Sequence, residues 1–217
     1  MIAKSNKKKL PPAVTLTLLL LTFSIPMIAA WYFYHHRITV SHAQTNHGFL
    51  ITPPLPISKL TLLNGKNQKI NNELNPKNFQ APPSSTRTNG KWMLVYFTPS
   101  TCDSNCKKRL YFFRQIQKAS GKNSSRVERA ILTSTTKNIP LANLLSKSFP
   151  ETRYLKVNVK EYTRIIQKNI KAPFASQAGA TFIVDPFGNI IMAYEPMQDA
   201  NDIFKDLGHL LSVSQIG

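Results

Sequence analysis

At 217 residues the chain has room for one compact domain plus an appendage, and its two cysteines exclude a disulfide-stapled scaffold. Lys and Arg outnumber Asp and Glu 28 to 10, a net charge of +18 that suits an anionic membrane surface or an acidic protein partner. No Ser/His/Asp set, Gly-rich phosphate loop or carboxylate pair stands out, and there are no internal repeats.

In chain order, Lys4, Lys7, Lys8 and Lys9 precede an apolar run from Ala13 to Tyr34, interrupted only by Thr, Ser and Pro26. As a helix rising about 1.5 Å per residue, this run spans the roughly 30 Å hydrocarbon core of a bilayer. Trp31, Tyr32 and Tyr34 form an interfacial belt at its end. The run exceeds the apolar core of a signal peptide, about 7–15 residues, and bulky Met27 and Ile28 spoil a cleavage site at Ala29-Ala30. An uncleaved, single-pass anchor is therefore expected. The four lysines before it, and the lack of Lys or Arg between Arg37 and Lys59, place the N-terminus in the cytoplasm. The remainder then lies outside, in a bacterial periplasm beyond the inner membrane or in a mitochondrial intermembrane space. Neither compartment offers nucleic acid as a partner. The expected organisation is a basic tail over 1–12, an anchor over 13–34, a tether over 35–55 and a folded domain over 56–217.

The tether carries His35, His36, His42 and His47, then Pro53, Pro54 and Pro56. Irregular spacing, with no cysteine or carboxylate partners, argues for adventitious histidines rather than a metal-binding stalk. Leu60–Leu63 and Gln68–Ile70 suggest two short strands around an Asn64-Gly65 turn. Trp92–Phe97 is a central buried strand. Helical spacing over Asp103–Lys118 precedes a strand at 127–133, a helix at 141–149, a strand at 154–159 and a helix at 162–170. Phe182–Asp185 and Ile190–Tyr194 form a hairpin around Pro186-Phe187-Gly188-Asn189, and an amphipathic helix over 199–212 closes the chain. Crossovers followed by a hairpin imply an α/β fold, a mixed sheet flanked by helices.

The only cysteines, Cys102 and Cys106, fall where the central strand gives way to a helix. Four residues apart, they share one helical face at a Cα separation near 6 Å, within reach of a disulfide. Helix N-terminal amides favour thiolate at Cys102, Lys107, Lys108 and Arg109 add positive potential, and Asp103 opposes it. Cys102 is the expected attacking thiol or first metal ligand, and Cys106 the resolving thiol or second ligand. Asp185–Gly188 is turn chemistry, and Met192 is core.

Leu60–Lys66, Gly90–Phe97, Cys102-x-x-x-Cys106 and Phe182–Asn189 together resemble the Sco/SenC family. Its members are membrane-anchored, thioredoxin-like copper proteins that assist assembly of cytochrome c oxidase. The resemblance covers about residues 55–213, its specific part being the cysteine pair and preceding strand. It implies a thioredoxin-like fold, Cu(I) as a possible cargo at Cys102 and Cys106, and oxidase subunits or their assembly proteins as partners. It also implies a histidine ligand about nine residues before Pro186, where this chain has Gln177, a poor Cu(I) donor. Disulfide reductases of the same fold carry a proline facing their cysteines; here that position falls at Gly179 or Ala180. Three functions follow: an assembly factor handling Cu(I) or copper-site thiols, a thiol–disulfide oxidoreductase with other clients, or a docking module. Enzymatic turnover is left open. Met192, Met197 and His209 are the candidates for a substitute ligand.

Overall fold

The computed structural model of the chain describes residues 11–35, 46–70, 90–98, 102–134 and 139–214. Contacts divide it into two units, 1–45 and 46–217. In the first, helix α1 (Pro12–His35) is 24 residues long, about 36 Å of rise. Its segment Pro12–Tyr32 has a mean hydropathy of 2.1 and is long and apolar enough to cross a membrane. Thr17 and Thr22 donate their hydroxyls to the carbonyls of Ala13 and Leu19, at 2.9 and 2.7 Å. Hydrocarbon could not hydrogen-bond them, and the helix backbone does.

The second unit contains β1 (Phe49–Pro56), β2 (Leu62–Leu63), β3 (Trp92–Thr98), β4 (Val127–Ser134), β5 (Thr152–Val157), β6 (Thr181–Val184) and β7 (Asn189–Tyr194). Interleaved with them are α2 (Ser104–Ala119), α3 (Ile139–Ser148), α4 (Val159–Asn169) and α5 (Ala200–Val213). The described strands form one sheet in the order β1-β7-β6-β3-β4-β5-β2. Strands β3, β4 and β5 run parallel, and the remaining pairings are antiparallel. This is the thioredoxin-like mixed sheet expected from the order of elements.

Strand β3 is buried along its whole length because helices cover both faces. Met93, Val95 and Phe97 join the layer that includes Tyr162 and Ile166 of α4. Trp92, Leu94 and Tyr96 face the layer of Leu110 and Phe113 from α2, Leu145 from α3 and Leu207 from α5. Tyr162 stacks on Phe97, centroids 3.9 Å apart, and donates its hydroxyl to the Ala175 carbonyl at 2.7 Å.

One expectation about the strands is corrected. The segment read as the end of the tether, residues 49–55, lies within β1, paired with β7. Proline lacks an N–H, so it argues against a central strand, yet an edge strand pairs on one side only and tolerates Pro53, Pro54 and Pro56. The turn after β2 is organised by Asn64, whose Oδ1 accepts the amides of Lys66 and Gln68, each at 2.9 Å. Its positive φ, 61°, falls on Asn67. The β6–β7 turn is as expected: Asp185 Oδ1 accepts the amides of Phe187 and Asn189, and Gly188 takes φ 81°.

His47 is not adventitious. The buried Asp206 carboxylate of α5 accepts the backbone amides of His47 and Gly48 and the Tyr194 hydroxyl, the last at 3.0 Å. His47 Nδ1 lies 3.0 Å from the same carboxylate. Residues 46–48 are thereby fixed to α5 just before β1 begins. His36 and His42 lie outside the described residues.

Candidate functional site

Strand β3 delivers the chain to the mouth of the sheet, and α2 returns from it. Asp103 is the N-cap of α2: its Oδ1 accepts the Cys106 amide at 2.9 Å, and its carbonyl accepts the Lys107 amide at 3.0 Å. Cys102 precedes the cap and Cys106 occupies the first turn. Their Cα atoms are 5.1 Å apart and their sulfurs form a disulfide. Cys106 is 1% exposed and packs with Tyr96 and Leu110, whereas Cys102 is half-buried at the edge of that layer. An incoming nucleophile therefore meets the Cys102 sulfur first.

Asp103 settles the helix entrance differently from a bare helix dipole. Its carboxylate already accepts the Cys106 amide, so that donor is not free to stabilise a thiolate, and its charge opposes one. Tyr96, on the face of β3 beneath α2, has its phenol pushed up by burial and then by Asp103, with Arg109 pulling the other way.

Arg109 is expected from the sequence to add positive potential at the cysteines. Instead it is buried, and its Nη2 donates to the carbonyls of Pro196 and Gln198 at 3.2 and 2.8 Å, pinning the β7–α5 loop to α2. Burial pushes its guanidinium down from the ordinary value, with Tyr96 and Asp199 opposing the shift. Helical spacing puts Arg109 three residues from Cys106, on the core-facing side of α2, but nothing local in the sequence names its distant acceptors.

Two cavities of about 310 Å³ adjoin this helix. One is lined by Cys102 itself, with Pro140, Leu141 and Leu144 of α3 and the lysines Lys107 and Lys147. The other lies between Arg109, Phe112, Met197 and Asp199. Of the two positions expected to hold a facing proline, Gly179 and Ala180, the first takes φ 93°. Its amide donates to the Phe97 carbonyl at 2.8 Å, and the Phe97 amide donates to the Ala180 carbonyl at 2.9 Å. A Cβ on Gly179 would meet Pro196 at 2.8 Å, so backbone conformation and close approach both require glycine.

The domain comprises the fold of a described family. Residues 92–214 match the model for the transmembrane-like, thioredoxin-like, C-terminal domain. The chain belongs to this family. The matched region begins at β3 and runs through α5, so it contains both cysteines. Comparison with curated proteins gave no match.

Among solved structures, this member of the family is similar in fold to copper-bound yeast Sco1, with 13% identity and a TM-score of 0.50 over 76% of this chain and 95% of that one. Copper-bound ScoI of Arabidopsis thaliana matches equally, with 13% identity and a TM-score of 0.50 over 76% and 99%. A thioredoxin-like protein from Porphyromonas gingivalis shows 15% identity and a TM-score of 0.50 over 73% and 92%. At these identities the likeness is one of fold.

The other sequence candidates are dispersed. Gln177 is exposed in the loop that leads to β6. Met192 is core, its sulfur 3.6 Å from the Tyr194 hydroxyl. Met197 is 73% exposed, and His209 is exposed on α5. Among the described residues, no three His, Cys, Asp or Glu side chains group as a metal site.

Proposed function

We propose that the chain is a membrane-anchored, Sco-like assembly factor for cytochrome c oxidase that works through Cys102 and Cys106. Helix α1 would hold it in the inner membrane, with residues 1–12 cytoplasmic, residues 36–45 linking it to the domain, and the domain, which begins at residue 46, in the periplasm. The observation that carries this reading is the disulfide between the chain's two cysteines, set at the strand exit with one sulfur accessible and one buried. A structural staple closing so short a loop contributes only about 2 kcal/mol. A reversible dithiol explains better why both cysteines sit at the mouth of the sheet.

In the dithiol form, the Cys102 thiolate attacks a client disulfide and expels one client thiolate. Cys106 then attacks the mixed disulfide, releasing the second client thiolate and closing Cys102–Cys106. Two electrons pass to the client, and an external dithiol reductant restores the pair. Client thiols freed this way could accept copper. The reduced pair also offers two soft sulfur donors suited to Cu(I) cargo, with no grouped histidine among the described residues. The lysine-rimmed, apolar groove beside Cys102 suits a client segment of acidic and apolar character.

The test is Cu(I) titration of the reduced full-length protein in neutral detergent against a competing chelator, alongside its reduction potential. One Cu(I) per chain, lost in Cys102→Ser, is the expected result for a carrier. Absence of binding together with a reversible potential would leave dithiol reduction. A Cys102→Ser, Cys106→Ser chain that still supports oxidase assembly would remove both and leave docking.

A further inference from the structure

About 16 Å of α2 beyond Cys106, a cavity of about 600 Å³ opens between the end of α2, the turn into β4 and the α3–β5 connection. Three cations line it, Arg114, Lys118 and Arg129, against one carboxylate, Glu151. Arg129 projects from β4 and is 3% exposed. Its Nη2 pairs with Glu151 at 2.7 Å, and the Glu151 side chain is itself 75% exposed. The Nε and Nη1 of Arg129 are buried without a hydrogen-bond partner among the described residues, and so is the Nε of Arg114. The Arg114 guanidinium lies 5.6 Å from the Phe149 ring centroid and 5.4 Å from that of Tyr111, which fixes it on the cavity wall.

Buried guanidinium N–H groups without acceptors are rare because each forfeits its hydration. Three such nitrogens, two on Arg129 and one on Arg114, border one cavity of net positive lining, which favours oxygen acceptors bearing negative charge. A phosphate group supplies three such oxygens as a monoester and two as a lipid diester, and either matches the planar fork of arginine. Ser124, Ser125 and Ser148 add neutral hydroxyl donors on the same lining. Glu151, held at the surface, meets only part of the demand and can swing aside. Burial pushes Arg129 below its ordinary value, the charge and hydrogen bond of Glu151 oppose that shift, and Arg114 adds a smaller lowering.

We propose that this cavity binds a phosphate-class oxyanion, either a free phosphate ester or the headgroup of an anionic phospholipid, with Arg114, Lys118 and Arg129 as its cationic ligands. The site is separate from the cysteine pair and independent of the function assigned to it.

The test uses the full-length chain in two arms. In neutral detergent, inorganic phosphate is titrated calorimetrically against chloride at constant ionic strength. In nanodiscs, melting is compared between phosphatidylcholine alone and phosphatidylcholine with phosphatidylglycerol. Arg114→Gln and, as a surface variant that leaves packing intact, Lys118→Gln are compared with Lys160→Gln on α4. Saturable phosphate binding weakened at least tenfold by Arg114→Gln and measurably by Lys118→Gln, but not by Lys160→Gln, assigns a free phosphate ester. Stabilisation by phosphatidylglycerol alone, lost in the same two variants, assigns a lipid headgroup. No response in either arm, or a response equal in all three variants, overturns the site.

Discussion

Asp103 combines two effects that substitution can separate. Its side chain caps α2 through the Cys106 amide, and its charge lies between the cysteines in sequence. Asparagine caps a helix about as well as aspartate, so Asp103→Asn should leave the melting temperature nearly unchanged. It removes a negative charge that opposes thiolate, so the reduced form gains. The reduction potential should rise by about 10–30 mV, measured by equilibration with glutathione and alkylation of free thiols. Asp103→Ala should raise it too, while costing about 1 kcal/mol of stability through the lost cap. A potential that falls in Asp103→Asn would contradict this placement of the charge. The capping role was legible in the sequence, since Asp before a helical pattern is an N-cap signal. The buried role of Arg109 was harder to see, because its acceptors are carbonyls 87 and 89 positions away.

The elements that position the site were largely visible from periodicity. Strands β3 to β7 and helices α2 to α5 lie within a few residues of where their apolar patterns put them, because each must present an apolar face to the same two layers. Strand β1 was not visible, since its proline content resembles a linker and only its edge position makes it a strand. The loop into β6 depends on a single residue. Gly179→Ala would place a Cβ against Pro196 at a φ that side chains avoid, and should destabilise the domain by about 2 kcal/mol. That corresponds to a fall of roughly 4–8 °C in melting temperature for a unit of this size. Because the same loop pairs with the end of β3, the potential of the disulfide should shift with it, a coupling that a surface loop would not show.

Across the folded unit, stability should fall on the alkaline side. Tyr162 and Tyr194 are held above the ordinary tyrosine value of 10.0, both chiefly by burial and Tyr194 also by Asp206. Below pH 10 both are neutral whether folded or unfolded, and their contribution is fully present. As pH rises past 10 the unfolded chain releases these protons and the folded one retains them. Each phenol then costs about 1.4 kcal/mol per pH unit until its folded-state value is passed. Urea denaturation between pH 9 and 11 should show this slope. Tyr194→Phe should reduce it by about one proton, while also losing the hydrogen bond to Asp206. An unchanged slope in Tyr194→Phe would show that this phenol ionises freely in the fold.

By itself the sequence determined an apolar span at one end, the order of strands and helices, and a cysteine pair at the exit of the central strand. All of these rest on neighbours within a few residues, where periodicity, capping and turn chemistry act. Tertiary structure decided what joins distant positions. It seated His47 on Asp206, 159 residues away, and turned Arg109 inward to hold the β7–α5 loop. It also gathered Arg114, Lys118 and Arg129 from a helix and a strand around one cavity. A charged residue in a sequence carries no record of whether folding will expose or bury it, because that depends on which distant backbone carbonyls and apolar faces close over it.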